Sequence, residues 1–228
     1  MRNSIKTGGN MKKLTKIILI RHGESLGNAN RTILGHTDLD LSELGYAQAK
    51  VTAEHLKNEK IDVIYSSDLK RAYNTAVPHA KMREMNIICS QKLREMYVGE
   101  WENMKFDDIM AKWGRAEYEE KWKNNFGTYR FPNGESVEEG GIRFYNEILR
   151  ISRENQGKTV LVTAHAAVIR AFWAIISGIA WENLAKTYSF ATNASYSVAY
   201  FDGEKITPDS YSNDKHLQIV GITDVNSQ

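Results

Sequence analysis

Two histidines and two arginines stand where this sequence turns from apolar runs into loops or helices, and together they could hold and attack an anion. Arg21 and His22 close the run Lys16-Ile-Ile-Leu-Ile20, Arg71 follows Ile61-Asp-Val-Ile-Tyr65 at a short distance, and His165 closes Lys158-Thr-Val-Leu-Val-Thr-Ala164. A short apolar run without helical period reads as a buried strand, and Gly23 just past the first one lets the chain turn sharply. Parallel strands share one carboxyl-end edge, where open α/β sheets bind their ligands. Guanidinium groups grip oxyanions through paired N–H donors, and a phosphoryl group is the anion that most needs such a clamp. An imidazole that is neutral at one nitrogen can attack phosphorus.

The elements that must position these groups follow from the patterning. After the first strand, a polar, glycine-bearing loop runs from Leu26 to Asp40, and Ser42 caps a helix that extends to about Asn58. The second strand, Ile61–Tyr65, leads into a helix over about Leu69–Met85. Ser66 and Ser67 are its capping candidates, and Arg71 lies in its first turn. A guanidinium has the wrong sign for a helix N-terminus, so an anion is expected beside it. Ile87–Cys89 reads as a third strand, followed by the aperiodic segment Leu93–Glu102, which places Glu95 in a loop.

From Asn103 to Phe131, Trp113, Tyr118, Trp122, Phe126 and Tyr129 stand among many charges. This predicts a helical excursion packed on the body by its aromatics, with Trp101, Trp113 and Trp122 as packing residues and the whole placed as a lid over the Glu95 loop. Ser136 and Glu139 form a capping box opening a helix to about Asn155. The fourth strand, Lys158–Ala164, is the most continuously apolar and therefore central, and the apolar helix after His165 runs to Ile176. Ser195–Phe201 alternates as a last strand. The predicted fold is an α/β three-layer sandwich with a mainly parallel central sheet flanked by helices. It forms a single domain over residues 11–228, with a helical cap insertion at about 103–131 and a loose tail over residues 1–10.

Bulk properties narrow the function. The 228 residues carry 30 basic and 28 acidic side chains, a balance of +2, which gives no reason to expect nucleic acid or a membrane surface as partner. Cys89 is the only cysteine, so no intrachain disulfide or thiol metal cluster can form, and a reducing cytoplasm is the expected compartment. The basic N-terminal residues precede an apolar run too short for a signal-peptide core or a membrane span. The sequence leaves the oligomeric state open.

Taken singly, His22 or His165 would be read as a structural histidine, Arg71 as an ion-pairing helix residue and Glu95 as a solvated loop carboxylate; their conjunction at strand ends favours a site. His36, His55, His79 and His216 keep the structural reading, with His36 a possible pocket-lining group.

Six segments in order carry a resemblance: Arg21-His-Gly-Glu-Ser25, Gly35-His-Thr-Asp38, Ser66-Ser-Asp-Leu-Lys-Arg-Ala72, Leu93-Arg-Glu95 with Gly99-Glu-Trp-Glu102, Gly134-Glu-Ser136, and Val160-Leu-Val-Thr-Ala-His165. Over about residues 16–170 the chain resembles the histidine phosphatase superfamily, with the phosphoglycerate-mutase-like fold. The resemblance implies that His22 takes the phosphoryl group as a phosphohistidine, that Arg21, Arg71 and His165 hold its oxygens, and that Glu95 protonates the leaving alcohol and then deprotonates water. It also implies substrate-binding positions at Asn28 and Ser25, beside His22, and no metal or cofactor. Departures are Ala166 and Ala167, where glycine is common, Asn74 for glutamine and Asn103 for glycine.

The implied activity is metal-independent hydrolysis of a small phosphomonoester. The Gly-Glu-Trp-Glu run favours the phosphatase branch over a cofactor-dependent phosphoglycerate mutase, which is the runner-up. A remote alternative is a serine hydrolase, because Gly23-Glu-Ser-Leu-Gly27 fits the Gly-x-Ser-x-Gly elbow with Ser25 as nucleophile, although too little chain precedes it. A phosphate-binding module without turnover would have no use for Glu95. Specificity is expected to lie in the 103–131 excursion and in the loop after Asn28.

Overall fold

The computed structural model describes residues 4–7 and 10–222. In chain order the regular elements are β1 (Ser4–Thr7), β2 (Asn10–Lys13), β3 (Thr15–Arg21), α1 (Leu26–Ala29), β4 (Thr32–Ile33), α2 (Glu43–His55), β5 (Val63–Ser66), α3 (Lys70–Arg83) and β6 (Ile87–Cys89). They continue with β7 (Met104–Lys105), α4 (Phe106–Trp113), α5 (Val137–Glu154), β8 (Thr159–Ala164), α6 (Ala166–Ser177), α7 (Leu184–Thr187), β9 (Tyr196–Phe201) and β10 (Ile206–Asn213).

Six strands form the central sheet in the order β10-β9-β3-β8-β5-β6. The run β3-β8-β5-β6 is parallel, and β9 and β10 add an antiparallel edge. The apolar run of β3 is continuous because both of its faces are covered. Ile17 and Leu19 join Val160 and Val162 under α5 and α6, whereas Ile18 and Ile20 join Leu161 and Ile64 under α2 and α3. Ile17 to Ile20 are each at most 1% exposed, so each contributes about 1.5–3 kcal/mol through burial. The expected α/β three-layer sandwich with a mainly parallel sheet is therefore the observed one.

Local signals mostly act as read. Ser42 accepts from the Gly45 N–H to cap α2, and Ser136 and Glu139 form the capping box of α5. The cap of α3 differs: its N-cap is Leu69, because Ser66 still belongs to β5 and Ser67 turns toward His165. Residues 4–7 and 10, expected within a loose tail, instead belong to an antiparallel β1-β2 ladder, whose polar residues carry no strand alternation. Residues 1–3, 8, 9 and 223–228 lie outside the described residues. Among the described residues no helix is long and apolar enough to cross a membrane.

Candidate active site

Strand register assembles the site. Arg21 pairs with Ala164 across β3 and β8, and Ser66 pairs with Thr163 across β5 and β8. The next residues, His22, His165 and Ser67, therefore emerge side by side at the carboxyl edge. The His22 N–H donates to the Ala164 carbonyl at 2.9 Å, and the two imidazole centroids lie 5.2 Å apart.

His22 is 5% exposed, and its Nδ1 lies 2.7 Å from the Gly23 carbonyl oxygen. A carbonyl can only accept, so Nδ1 carries the proton and Nε2 keeps its lone pair. Burial first, then the Arg71 and Arg21 charges, hold the His22 pKa well below the ordinary histidine value. The buried environment thus favours the neutral ring, with Nε2 unprotonated. His165 is pushed down likewise, by burial and then by Arg71 and His22, and burial together with Arg83 takes His79 down to about 3.

Depressed histidine pKa values have a consequence for stability. Below the ordinary value near 6.5 the unfolded chain binds protons that the folded chain does not, so the stability present above that pH is lost as pH falls. Each of these three buried histidines contributes up to about 1.4 kcal/mol per pH unit. Urea midpoints should therefore stay level from pH 8 to 7 and fall between pH 6.5 and 5; a midpoint flat across that lower window would show that these rings are not buried as neutral groups.

The cations lie around the imidazoles. Arg21 is 3% exposed and Arg71 1%, and burial lowers both guanidinium pKa values to about 10, so both stay charged at neutral pH. Arg71 donates to the carbonyls of Thr37 at 2.8 Å and Gly35 at 2.7 Å, and Arg21 donates to the Ala191 carbonyl at 2.5 Å. Arg21 Nε and His165 Nδ1 are buried with no hydrogen-bond partner among the described residues. Since a buried polar atom left unpaired is costly, these atoms mark a place where a polar ligand belongs. His165 Nε2 lies 2.9 Å from Ser67 Oγ; when that hydroxyl donates, Nδ1 is left bearing a proton.

Asn28 and Ser25 cap α1 reciprocally. Asn28 Oδ1 accepts from the Ser25 N–H, the Ser25 hydroxyl and Asn193 Nδ2, which leaves the Asn28 amide Nδ2 as the donor available to a ligand. Both residues line the cavity, but the Ser25 hydroxyl is committed to Asn28, and no imidazole accepts its proton. That arrangement speaks against Ser25 as a nucleophile.

Glu95 lines the same cavity, and its carboxylate accepts from three backbone N–H groups: Met96 at 3.0 Å, Ala167 at 3.0 Å and Val168 at 3.1 Å. The last two belong to the first turn of α6, whose N-cap, His165, provides no side-chain cap. A carboxylate at that end is favoured by the helix dipole. The Glu95 carbonyl accepts from His36 Nε2 at 2.8 Å and Arg143 at 3.0 Å, so His36 holds this loop rather than lining the pocket. Arg143 also donates to the carbonyls of Lys92 and Arg94 and pairs with Glu135.

Two motif glycines and an acid complete the support. Glu102 accepts from the N–H groups of His36 and Thr37 and from the Thr37 hydroxyl, fixing the turn whose carbonyls hold Arg71. Gly35 has φ +48°, and a Cβ there would lie 2.1 Å from Glu102 Oε1. Gly99 has φ +56°, and its Cβ would lie 2.0 Å from the Pro132 carbonyl oxygen. Only glycine fits either place. Asn103, in place of glycine, has φ 58°, which asparagine tolerates.

Sequence reasoning missed several contributors. Asn193 is fully buried and donates to the His22 carbonyl, and Thr75 accepts from the Gly23 N–H while donating to the Arg71 carbonyl. The Arg143–Glu135 pair was missed as well. Each acts across more than forty residues of chain or through a common side-chain type, apart from Glu135, whose Gly-Glu-Ser motif was the available signal.

The cavity at this edge has a volume of about 480 Å³ and extends under the 103–131 excursion. There α4 is followed by a π-helix, Glu117–Lys123, and a short 3₁₀ turn at Phe126–Thr128. Trp101 is fully buried in the core as expected, but Trp122 is only partly buried and lines the cavity. Among the described residues no group of three or more His, Cys, Asp or Glu could hold a metal ion.

A sheet edge carrying two histidines, two buried arginines and a carboxylate has the charge and the open donors to receive a phosphoryl group. The chain belongs to the histidine phosphatase superfamily (branch 1), whose family model matches residues 17–214. It is similar to phosphoserine phosphatase 1 of Hydrogenobacter thermophilus, with 34% identity over 83% of this chain and 88% of that one. It is also similar to phosphoglycerate mutase-like protein 4 of Arabidopsis thaliana, with 32% identity over 91% and 89% of the two chains. Among solved structures, the mycobacterial glucosyl-3-phosphoglycerate phosphatase complexed with VO3 superposes with a TM-score of 0.79 at 25% identity, covering 87% of this chain and 98% of that one. By class the protein is a phosphoric monoester hydrolase, with a mutase as the runner-up.

Proposed function

We propose that the protein hydrolyses a small phosphomonoester through a phosphohistidine on His22, without a metal. The observation that carries this reading is the pair of orphaned buried atoms, Arg21 Nε and His165 Nδ1, beside the unprotonated His22 Nε2. Phosphoryl oxygens would take the open donors of Arg21, His165 and Asn28, with the Arg71 charge close by. Nε2 attacks phosphorus as the ester P–O bond breaks, and Glu95 gives its proton to the departing alkoxide. Glu95 then takes a proton from water, whose oxygen attacks phosphorus and breaks the P–N bond, restoring His22 and releasing phosphate.

Because cationic side chains stabilise the charge that develops in transfer, no divalent ion is needed in this scheme. The partner is a small-molecule phosphate monoester rather than nucleic acid or membrane, and a cytoplasmic setting accords with Cys89 as the sole thiol. The test is phosphate release from p-nitrophenyl phosphate, which should be undiminished by EDTA. Incubation with 3-phosphoglycerate and a trace of bisphosphoglycerate checks the runner-up: rapid isomerisation without phosphate release would overturn the phosphatase reading.

A further inference from the structure

Beyond the phosphate clamp, the walls of the cavity change character. Phe106, Tyr118, Trp122, Phe126, Phe131 and Phe190 line it. Several of these rings contact one another. Tyr118 and Trp122 have centroids 5.1 Å apart, Trp122 and Phe190 lie 6.1 Å apart and nearly parallel at 25°, and Phe190 meets Phe126 edge-on at 5.0 Å. They come from the cap excursion and from the segment after α7, and tertiary packing holds them as one aromatic box.

Two cations line the cavity on this side, Arg170 and Lys123. Arg170 lies with its guanidinium carbon 4.4 Å from the Phe190 centroid and 4.9 Å from that of Phe126, and it donates to the carbonyls of Tyr188 and Ala185. It stacks on both rings while itself lining the cavity. Lys123 is exposed, and Glu95 is the one carboxylate lining the cavity among the described residues. An amino-acid ester would need an acid for its ammonium besides Glu95, which is committed to proton transfer. A sugar acid would find few partners for its hydroxyls among these rings beyond the Tyr118 hydroxyl and Trp122 Nε1, a buried donor with no partner among the described residues. A cavity of about 480 Å³ lies in the range that encloses a drug-sized organic group, and a small polar ester would leave most of it unfilled.

We infer that the leaving alcohol this enzyme accepts is bulky, apolar and flat, an aromatic or fused-ring alcohol, with the box formed by Trp122, Phe126 and Phe190 as its specificity site. The inference rests on the phosphatase reading above and adds the substrate class. It separates this chain from the phosphoserine phosphatases among its relatives.

The experiment compares kcat/KM for 2-(1-naphthyl)ethyl phosphate, ethyl phosphate, phosphoserine and 3-phosphoglycerate, with p-nitrophenyl phosphate as the reporter of turnover. The naphthylethyl and ethyl esters release alkanols of similar acidity, so their difference reads the pocket and not the chemistry. The naphthylethyl ester should exceed ethyl phosphate and phosphoserine by about a hundredfold or more, and Phe190→Ala should shrink that preference at least about tenfold. If this variant does not fold, competitive inhibition of the unaltered enzyme by 2-(1-naphthyl)ethanol, with serine ineffective, reads the same box. A preference for phosphoserine or 3-phosphoglycerate alongside turnover of p-nitrophenyl phosphate would overturn the inference and leave the phosphatase reading intact. Absence of release from every ester would overturn both.

Discussion

Replacing His22 with alanine should lower phosphate release from p-nitrophenyl phosphate by at least about ten-thousandfold, the scale on which removal of a covalent nucleophile acts. The size follows from what remains. Arg21, Arg71 and His165 would still bind the phosphoryl group, but water would have to attack phosphorus without the nitrogen lone pair that the Gly23 carbonyl leaves on Nε2. Stability should suffer less than for most buried truncations, because a neutral imidazole within the field of two buried guanidinium groups offers them no charge compensation. A folded, inactive variant is therefore expected. Labelled substrate quenched into alkali should leave acid-labile label on the native chain and none on His22→Ala. Activity surviving in a folded variant, or label persisting on it, would place the nucleophile elsewhere.

The candidate site groups Arg21, His22 and His165 are legible because each closes an apolar run: Arg21 ends β3, His22 follows it, and His165 follows β8. A buried strand shows itself in composition, and a polar residue at its abrupt end has only the sheet edge to occupy. Glu95 lies in no such pattern: the lack of periodicity places it in a loop, and its role comes from the resemblance alone. What holds it in place, the first turn of α6 together with Arg143 and His36, depends on tertiary contacts that no local spacing encodes.

Ser67 shows the same limit from the other side. Its sequence context suggested a helix cap, yet its hydroxyl meets His165 from ninety-eight residues away. Trp122 was read as packing because tryptophan is usually buried. The π-helical stretch that carries it follows neither the helical period of about 3.6 residues nor the strand period of about 2.0, and it leaves the ring partly buried at the cavity wall. The β1-β2 ladder was missed because its polar residues satisfy backbone hydrogen bonds without an apolar face to announce them.

Glu95→Gln is the substitution that tests whether this carboxylate acts as an acid or only as a cap. Three of roughly four lone-pair sites on the carboxylate are taken by backbone N–H groups, and the remaining one on Oε2 is where a transferable proton can reside. Glutamine keeps the size but turns one end into a donor facing backbone donors, so it loses part of the α6 cap at a cost of about 1–2 kcal/mol. If Glu95 protonates the leaving group, kcat for an alkyl phosphate should fall by about a hundred- to ten-thousandfold. With p-nitrophenyl phosphate the first step should survive, since nitrophenolate leaves without a proton. The second step, which needs Glu95 to take a proton from water, should then stall. The variant should therefore show a burst of nitrophenol equal to the enzyme concentration and accumulate phosphohistidine. Equal loss on both esters with no burst would mean that Glu95 does no more than secure the end of α6.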